Sequence, residues 1–99
     1  MQKDVSVTVT PGVGITVDPT DPIQLKKNQD TVEWKSTTKD QQFTVVLPAG
    51  EPAVSCSFQG GKWVCVAGPF TTGSTMRSFK YDITATNAPT LDPDIEIFP

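Results

Sequence analysis

A two-residue hydrophobic period runs through the chain and limits its fold more than any other feature. Val5, Val7 and Val9 alternate with Ser6 and Thr8, and Val32 and Trp34 alternate with Thr31, Glu33 and Lys35. Phe43, Val45 and Leu47 form another set, as do Phe79, Tyr81 and Ile83, and then Ile95 with Ile97. "GVGITV" and "IQL" add two short runs on either side of the turn-rich "DPTDP". Successive side chains of a strand point to opposite faces, so each run reads as a strand with an apolar inner face and a polar outer one. No window shows a 3.6-residue apolar period, and nine prolines and seven glycines are spread along the sequence. Helices are therefore expected to be absent or short. About eight such strands predict an all-β fold: a single antiparallel or mixed β-sandwich over residues 1–99. A chain of this length can bury one core without outside help. No repeat or internal linker divides it, and the last alternating run reaches almost to Pro99, so the final strand is expected to lie in a sheet.

The stretch "AVSCSFQGGKWVCV" is the most specific. It reads as two strands joined by a two-residue turn at Gly60 and Gly61, where positive φ costs glycine nothing. That turn sets Gln59 against Lys62, Phe58 against Trp63, Ser57 against Val64 and Cys56 against Cys65. Pairs alternate outward from the turn, so Cys56–Cys65 and Phe58–Trp63 fall at non-hydrogen-bonded positions, where Cα atoms approach to about 4.5 Å. Disulfide geometry reaches down to that spacing, which favours a staple, Cys56 to Cys65. Two buried thiols are the second possibility. Metal or redox chemistry is the third, lacking both histidine partners and a C-x-x-C spacing. A structural disulfide suits an oxidising compartment, so a periplasmic or secreted protein is expected, with a cytoplasmic one as the alternative. The opening "MQKDVSVTVT" has no apolar core of a signal peptide, so an exported protein is expected to have lost a leader.

Composition removes several functions. The chain has no histidine, which takes away the commonest general base and the commonest transition-metal ligand. There is no P-loop, GxGxxG or HExxH motif. The net charge is −3, and Lys26–Lys27 is the only adjacent basic pair. Nucleic-acid binding needs a basic stripe, which is missing. No apolar run approaches a membrane span.

Two segments resemble the cupredoxin superfamily, the sandwiches that include plastocyanin- and azurin-like blue copper proteins. "IQLKKNQDTVEWKSTTKDQQFTVVLP" is similar to the family stretch v-x-k-G-D-x-V-x-W leading to P-H-T-V, with Leu25, Asp30, Val32 and Trp34 at framework positions. "RSFKYDITATNAPTLDPDIEI" resembles the closing Y-x-Y-x-C…H…M-x-G-x-I-x-V, with Phe79, Tyr81, Ile95 and Ile97 matching. The resemblance would put the first copper histidine at Gln42 or Phe43 and the copper cysteine at Ile83. Those residues cannot form the two-imidazole, one-thiolate site. What it implies is a cupredoxin-like domain with no metal and no cofactor.

The remaining candidates are modest. Asp92 and Asp94 could share one side of an extended segment, and Asp18 and Asp21 flank prolines; each pair could serve calcium or, at Asp92 and Asp94, acid–base work, but both read first as turn or solvent-facing acids. Trp34 and Tyr81 read as core. Trp63 reads as core more readily than as an exposed anchor. "PFTTGSTMR" is a polar loop that names no ligand. The chain is therefore expected to be a non-catalytic binding, assembly or accessory module. Its possible partner is another protein, met through the hairpin tip Gln59, Gly60, Gly61, Lys62 and Trp63 or through a strand edge. The alternative is an immunoglobulin-like structural or adhesion module of a surface or virion protein. A parallel pairing of the first and last strands is the expectation that separates the two.

Overall fold

The computed structural model describes residues 1–18, 22–38 and 41–99. The fold is all-β, with eleven strands among the described residues: β1 (Gln2–Thr10), β2 (Gly14–Asp18), β3 (Ile23–Lys26), β4 (Thr31–Ser36), β5 (Thr44–Val46), β6 (Ser55–Gln59), β7 (Lys62–Ala67), β8 (Arg77–Lys80), β9 (Asp82–Ala85), β10 (Ala88–Leu91) and β11 (Asp94–Phe98). Among the described residues no helix is long and apolar enough to cross a membrane. One layer is a five-stranded sheet in the order β2-β1-β4-β7-β6. The other is built from two three-stranded sheets, β10-β9-β5 and β3-β11-β8.

Those two small sheets share one hairpin. From Ile83↔Leu91 onward the β9–β10 register is the register of Lys80↔Asp94 and Phe79↔Ile95 in β8–β11. The Tyr81 amide donates to the Pro93 carbonyl between them. Residues 77–85 and 88–98 are therefore the two arms of a single long hairpin, closed at Thr86–Asn87, where Asn87 takes a φ of 62°. A bulge shifts the pairing between Ala88 and Leu91. The expected count of about eight strands rises to eleven largely here: the Phe79–Tyr81–Ile83 run splits at Tyr81, and "APTL" pairs as β10 despite Pro89 and no alternation.

Two pairings are parallel, β1 with β4 and β3 with β11. The first and last strands do not pair with each other: β1 and β11 lie in different sheets. The last strand does lie in a sheet, as its alternation predicts.

The alternating residues meet between the layers. Val5, Val7, Val9, Val32, Trp34 and Cys65 from the five-stranded sheet pack in one cluster with Phe43, Val45, Ile83, Ile95 and Ile97 from the other. Trp34 and Tyr81 are both buried, and the Trp34 Nε1–H donates to the Tyr81 hydroxyl at 3.0 Å, tying layer to layer. At one end, the Lys26 amide donates to Asp30 at 2.8 Å, closing the turn from β3 to β4. That hydrogen bond holds the Asp30 carboxyl below the usual range although burial opposes it, and the N-terminal ammonium 3.4 Å away adds to the effect.

Candidate functional site: the stapled hairpin and its open edge

β6 and β7 form the predicted hairpin in the predicted register: Cys56↔Cys65, Ser57↔Val64, Phe58↔Trp63 and Gln59↔Lys62. Gly60 and Gly61 turn the chain with φ of 61° and 81°, and a type I′ turn requires positive φ at both central positions. The Cys56 and Cys65 sulfurs lie 2.04 Å apart, at disulfide distance, with their Cα atoms at 4.0 Å. Cys65 is fully buried in the core cluster, whereas Cys56 is half-buried beside it.

The tip is held down on one side. The Trp63 amide donates to Ser36 Oγ at 3.1 Å, which replaces the ladder bond that β4 is too short to supply. The Trp63 Nε1–H donates to the Phe43 carbonyl, and Lys62 Nζ donates to the Thr37 carbonyl at 2.9 Å. Trp63 is thus half-buried, neither a core residue nor a free anchor, with its polar edge satisfied by the facing layer. The exposed aromatic is its cross-strand neighbour. Phe58 packs edge-on against Trp63 at 4.9 Å between ring centroids and remains 48% exposed. Among the proposed contact residues, Gln59 and Gly60 are exposed, and Gly61, Lys62 and Trp63 are half-buried.

The other side is open. β6 is the outer strand of its sheet. Counting from the turn, Gln59, Ser57 and Ser55 spend their main-chain groups on β7, which directs the N–H and C=O of Cys56 and Phe58 outward. No described residue bonds to these four groups.

The other predicted sites disperse. Asp94 forms an ion pair with Lys80 at 3.2 Å, whereas Asp92 stands opposite Asp82. Asp92 and Asp94 thus share one side of the strand entry, as their spacing predicts, but face different neighbours, Asp82 and Lys80. The shifted register puts Asp82 opposite Asp92 on neighbouring segments. Like charges directly opposite repel. A hydrogen bond from the protonated Asp82 carboxyl to Asp92, then desolvation, then the Asp92 charge hold the Asp82 carboxyl above its ordinary 3.8. Between that value and the raised one, the folded chain binds more protons than the unfolded chain, so stability falls as pH rises through the window. Asp82→Asn removes the repulsion. The variant is expected to be more stable than the parent at neutral pH and to lose this fall. Thermal midpoints taken from about pH 3 to 7 check it; an undiminished fall in the variant contradicts it.

No group of three or more metal-ligating side chains converges among the described residues. Asp21, the partner proposed for Asp18, lies outside them. At the positions where the resemblance would put copper ligands, Phe43 and Ile83 are buried in the apolar cluster. Gln42 lines a cleft of about 320 Å³ with Thr44, Thr84, Ala85 and Thr86, which brings together amide and hydroxyl groups and no ionisable one. Compared with models of known protein families and with curated proteins, the chain has no match.

Proposed function

We propose that this chain is a non-catalytic, metal-free, cupredoxin-like domain that binds or assembles with another protein through the open edge of β6. The observation that carries the reading is that edge: a stapled strand with outward main-chain groups at Cys56 and Phe58 and a half-exposed aromatic beside them. An extended segment can add to such an edge by main-chain hydrogen bonds, with side-chain pockets supplying selectivity. The disulfide restricts the hairpin beforehand, which lowers the ordering cost of binding. The parallel pairing of first and last strands expected of a cupredoxin-like domain is not made among the described residues, so the relation rests on two other observations. The parallel pairs β1/β4 and β3/β11 depart from the two antiparallel sheets of the immunoglobulin fold. Of the framework residues, Leu25, Val32, Trp34, Tyr81, Ile95 and Ile97 lie in the core cluster, Phe79 packs half-buried against it, and Asp30 closes the β3–β4 turn instead. The cysteine pair fits a periplasmic or secreted setting.

Phe58→Pro tests the edge. The Phe58 amide faces outward, so proline there removes a docking donor without breaking the β6–β7 ladder, and proline is tolerated on the outer side of an edge strand. Extended peptides selected from a random display library against the parent protein are expected to protect the Cys56 and Phe58 amides from hydrogen exchange. They should bind Phe58→Pro about tenfold more weakly or worse. Selected peptides that protect neither amide, or that bind the variant equally well, overturn the reading.

A further inference from the structure

The outer strands of the sheets differ in how they are defended. Natural edges are blunted by charge, proline, brevity or cover, because an undefended edge pairs with whatever strand it meets. β2 ends in Asp18 and packs against β10; β3 carries Lys26; β8 carries Arg77 and Lys80; β10 carries Pro89; β5 is three residues long and runs toward Pro48. β6, "SCSFQ", has no charge, no proline and, among the described residues, no cover on its outer side. It is also the edge with a rigid backbone, since the Cys56–Cys65 link fixes it to β7.

We infer that the occupant of this edge is β6 of a second copy, running antiparallel, with the two-fold axis passing between Ser57 and its symmetry mate. The inference rests on the edge-docking reading and names its partner. The self-complementarity is specific. With Ser57 opposite Ser57, Cys56 of each copy faces Phe58 of the other, and these are the two residues whose main-chain groups point outward. An antiparallel hydrogen-bonded pair exchanges both of its bonds, so the two Cys56–Phe58 pairs satisfy all four outward groups on each strand. The side chains agree with that register. Phe58 of each copy comes to lie over the other's Cys56–Cys65 link, where sulfur and an aromatic ring make a favourable contact. Ser55 of each copy meets Gln59 of the other on the opposite face, a pairing of hydrogen-bonding groups without charge. A protein of net charge −3 meets its own copy here through a strand that contributes none of that charge. The interface is isologous and closes at two copies, giving one ten-stranded sheet rather than a growing fibre.

Ser57 makes the decisive test because it sits on the axis, is exposed, and points away from the core. The full-length chain is expected to pass from 10.7 kDa to twice that mass as concentration rises, by sedimentation equilibrium. Ser57→Lys sets lysine against lysine, and Ser57→Asp sets aspartate against aspartate. Each variant is expected to dimerise at least about tenfold more weakly, with an unchanged circular dichroism spectrum. An equimolar mixture of the two sets lysine against aspartate and is expected to restore the dimer as a heterodimer. A structural defect would not be rescued by mixing. A parent protein that stays monomeric to about 1 mM overturns the inference. A dimer indifferent to both substitutions, which would use another face, overturns it as well. If a monomeric parent still captures extended peptides at Cys56 and Phe58, the self-pairing fails while the edge-docking function stands; if it captures none, both fail.

Discussion

Trp34→Ala is expected to lower the unfolding free energy by about 4 kcal/mol, a large share of the total for a domain of this size. The thermal midpoint should fall by roughly 15–30 °C. The magnitude follows from position. Trp34 lies in the middle strand of the five-stranded sheet, registered with Val5 on one side and Cys65 on the other, and is fully buried. Its ring sits 5.5 Å from that of Tyr81, at a tilt of 56°, and its N–H donates to the Tyr81 hydroxyl. Alanine there removes the largest side chain of the core and a bond between the layers together. Trp34→Phe separates the two effects: the ring volume largely remains while the donor goes, for a cost of about 1–2 kcal/mol plus a smaller packing loss. Urea titrations followed by far-ultraviolet circular dichroism, with Trp63 fluorescence as a second probe, measure both variants. A loss under about 2 kcal/mol for Trp34→Ala would mean that the layers are not joined through this residue.

The strands that pack Trp34 could be read from the sequence because a buried face imposes strict alternation. A one-residue slip would turn the whole apolar set outward, so Val5-Val7-Val9 and Ile95-Ile97 have one workable placement. The Gly60–Gly61 turn did the same for β6 and β7, since a two-residue loop fixes every cross-strand pair. Other features depend on which strand lies alongside, and side-chain period does not record that. Phe79, Tyr81 and Ile83 alternate without a break while the pairing changes from β11 to β10 and β5 at Tyr81. The Asp82–Asp92 contact needs both the Thr86–Asn87 turn and the bulge that follows it, and no Asn-Gly or Asp-Gly signal marks that turn. Period two on a single strand puts Asp92 and Asp94 on one side but cannot show that Asp82 stands across from them. Trp63 shows a third limit. Alternation assigns it and Phe58 to the inner face, but not how far the opposing layer extends. β5 is only three residues long, and Phe58 stays 48% exposed. The candidate site thus includes a residue, Phe58, that the hairpin pattern placed correctly and whose exposure it could not give.

Opening the Cys56–Cys65 link is expected to cost about 2.5–3 kcal/mol, and the loss should be uneven across the fold. The link closes a ten-residue loop, Cys56 to Cys65, whose two arms already pair. Its effect in the chain-entropy account is to restrict the chain wherever the hairpin opens, in the unfolded state and in local opening of β6 alike. Cys56→Ala should keep the sandwich while lowering the urea midpoint. The two cysteines are not equivalent. Cys65 is fully buried against the core and Cys56 is half-buried at the edge, so Cys65→Ser adds a desolvated hydroxyl that Cys56→Ser largely avoids. The first is expected to be the more destabilising by about 1–3 kcal/mol. Without the link, β6 is held only by its ladder with β7, and the Ser57 and Gln59 amides that form that ladder should exchange faster than those of β4, which has partners on both sides. The open edge then loses the rigidity on which docking depends, so reduced protein is expected to bind edge peptides more weakly than oxidised protein. Alkylation of denatured, unreduced protein checks the premise by mass: two modified cysteines show that the link does not form. Equal urea midpoints before and after reduction would show that the link forms without bearing on stability.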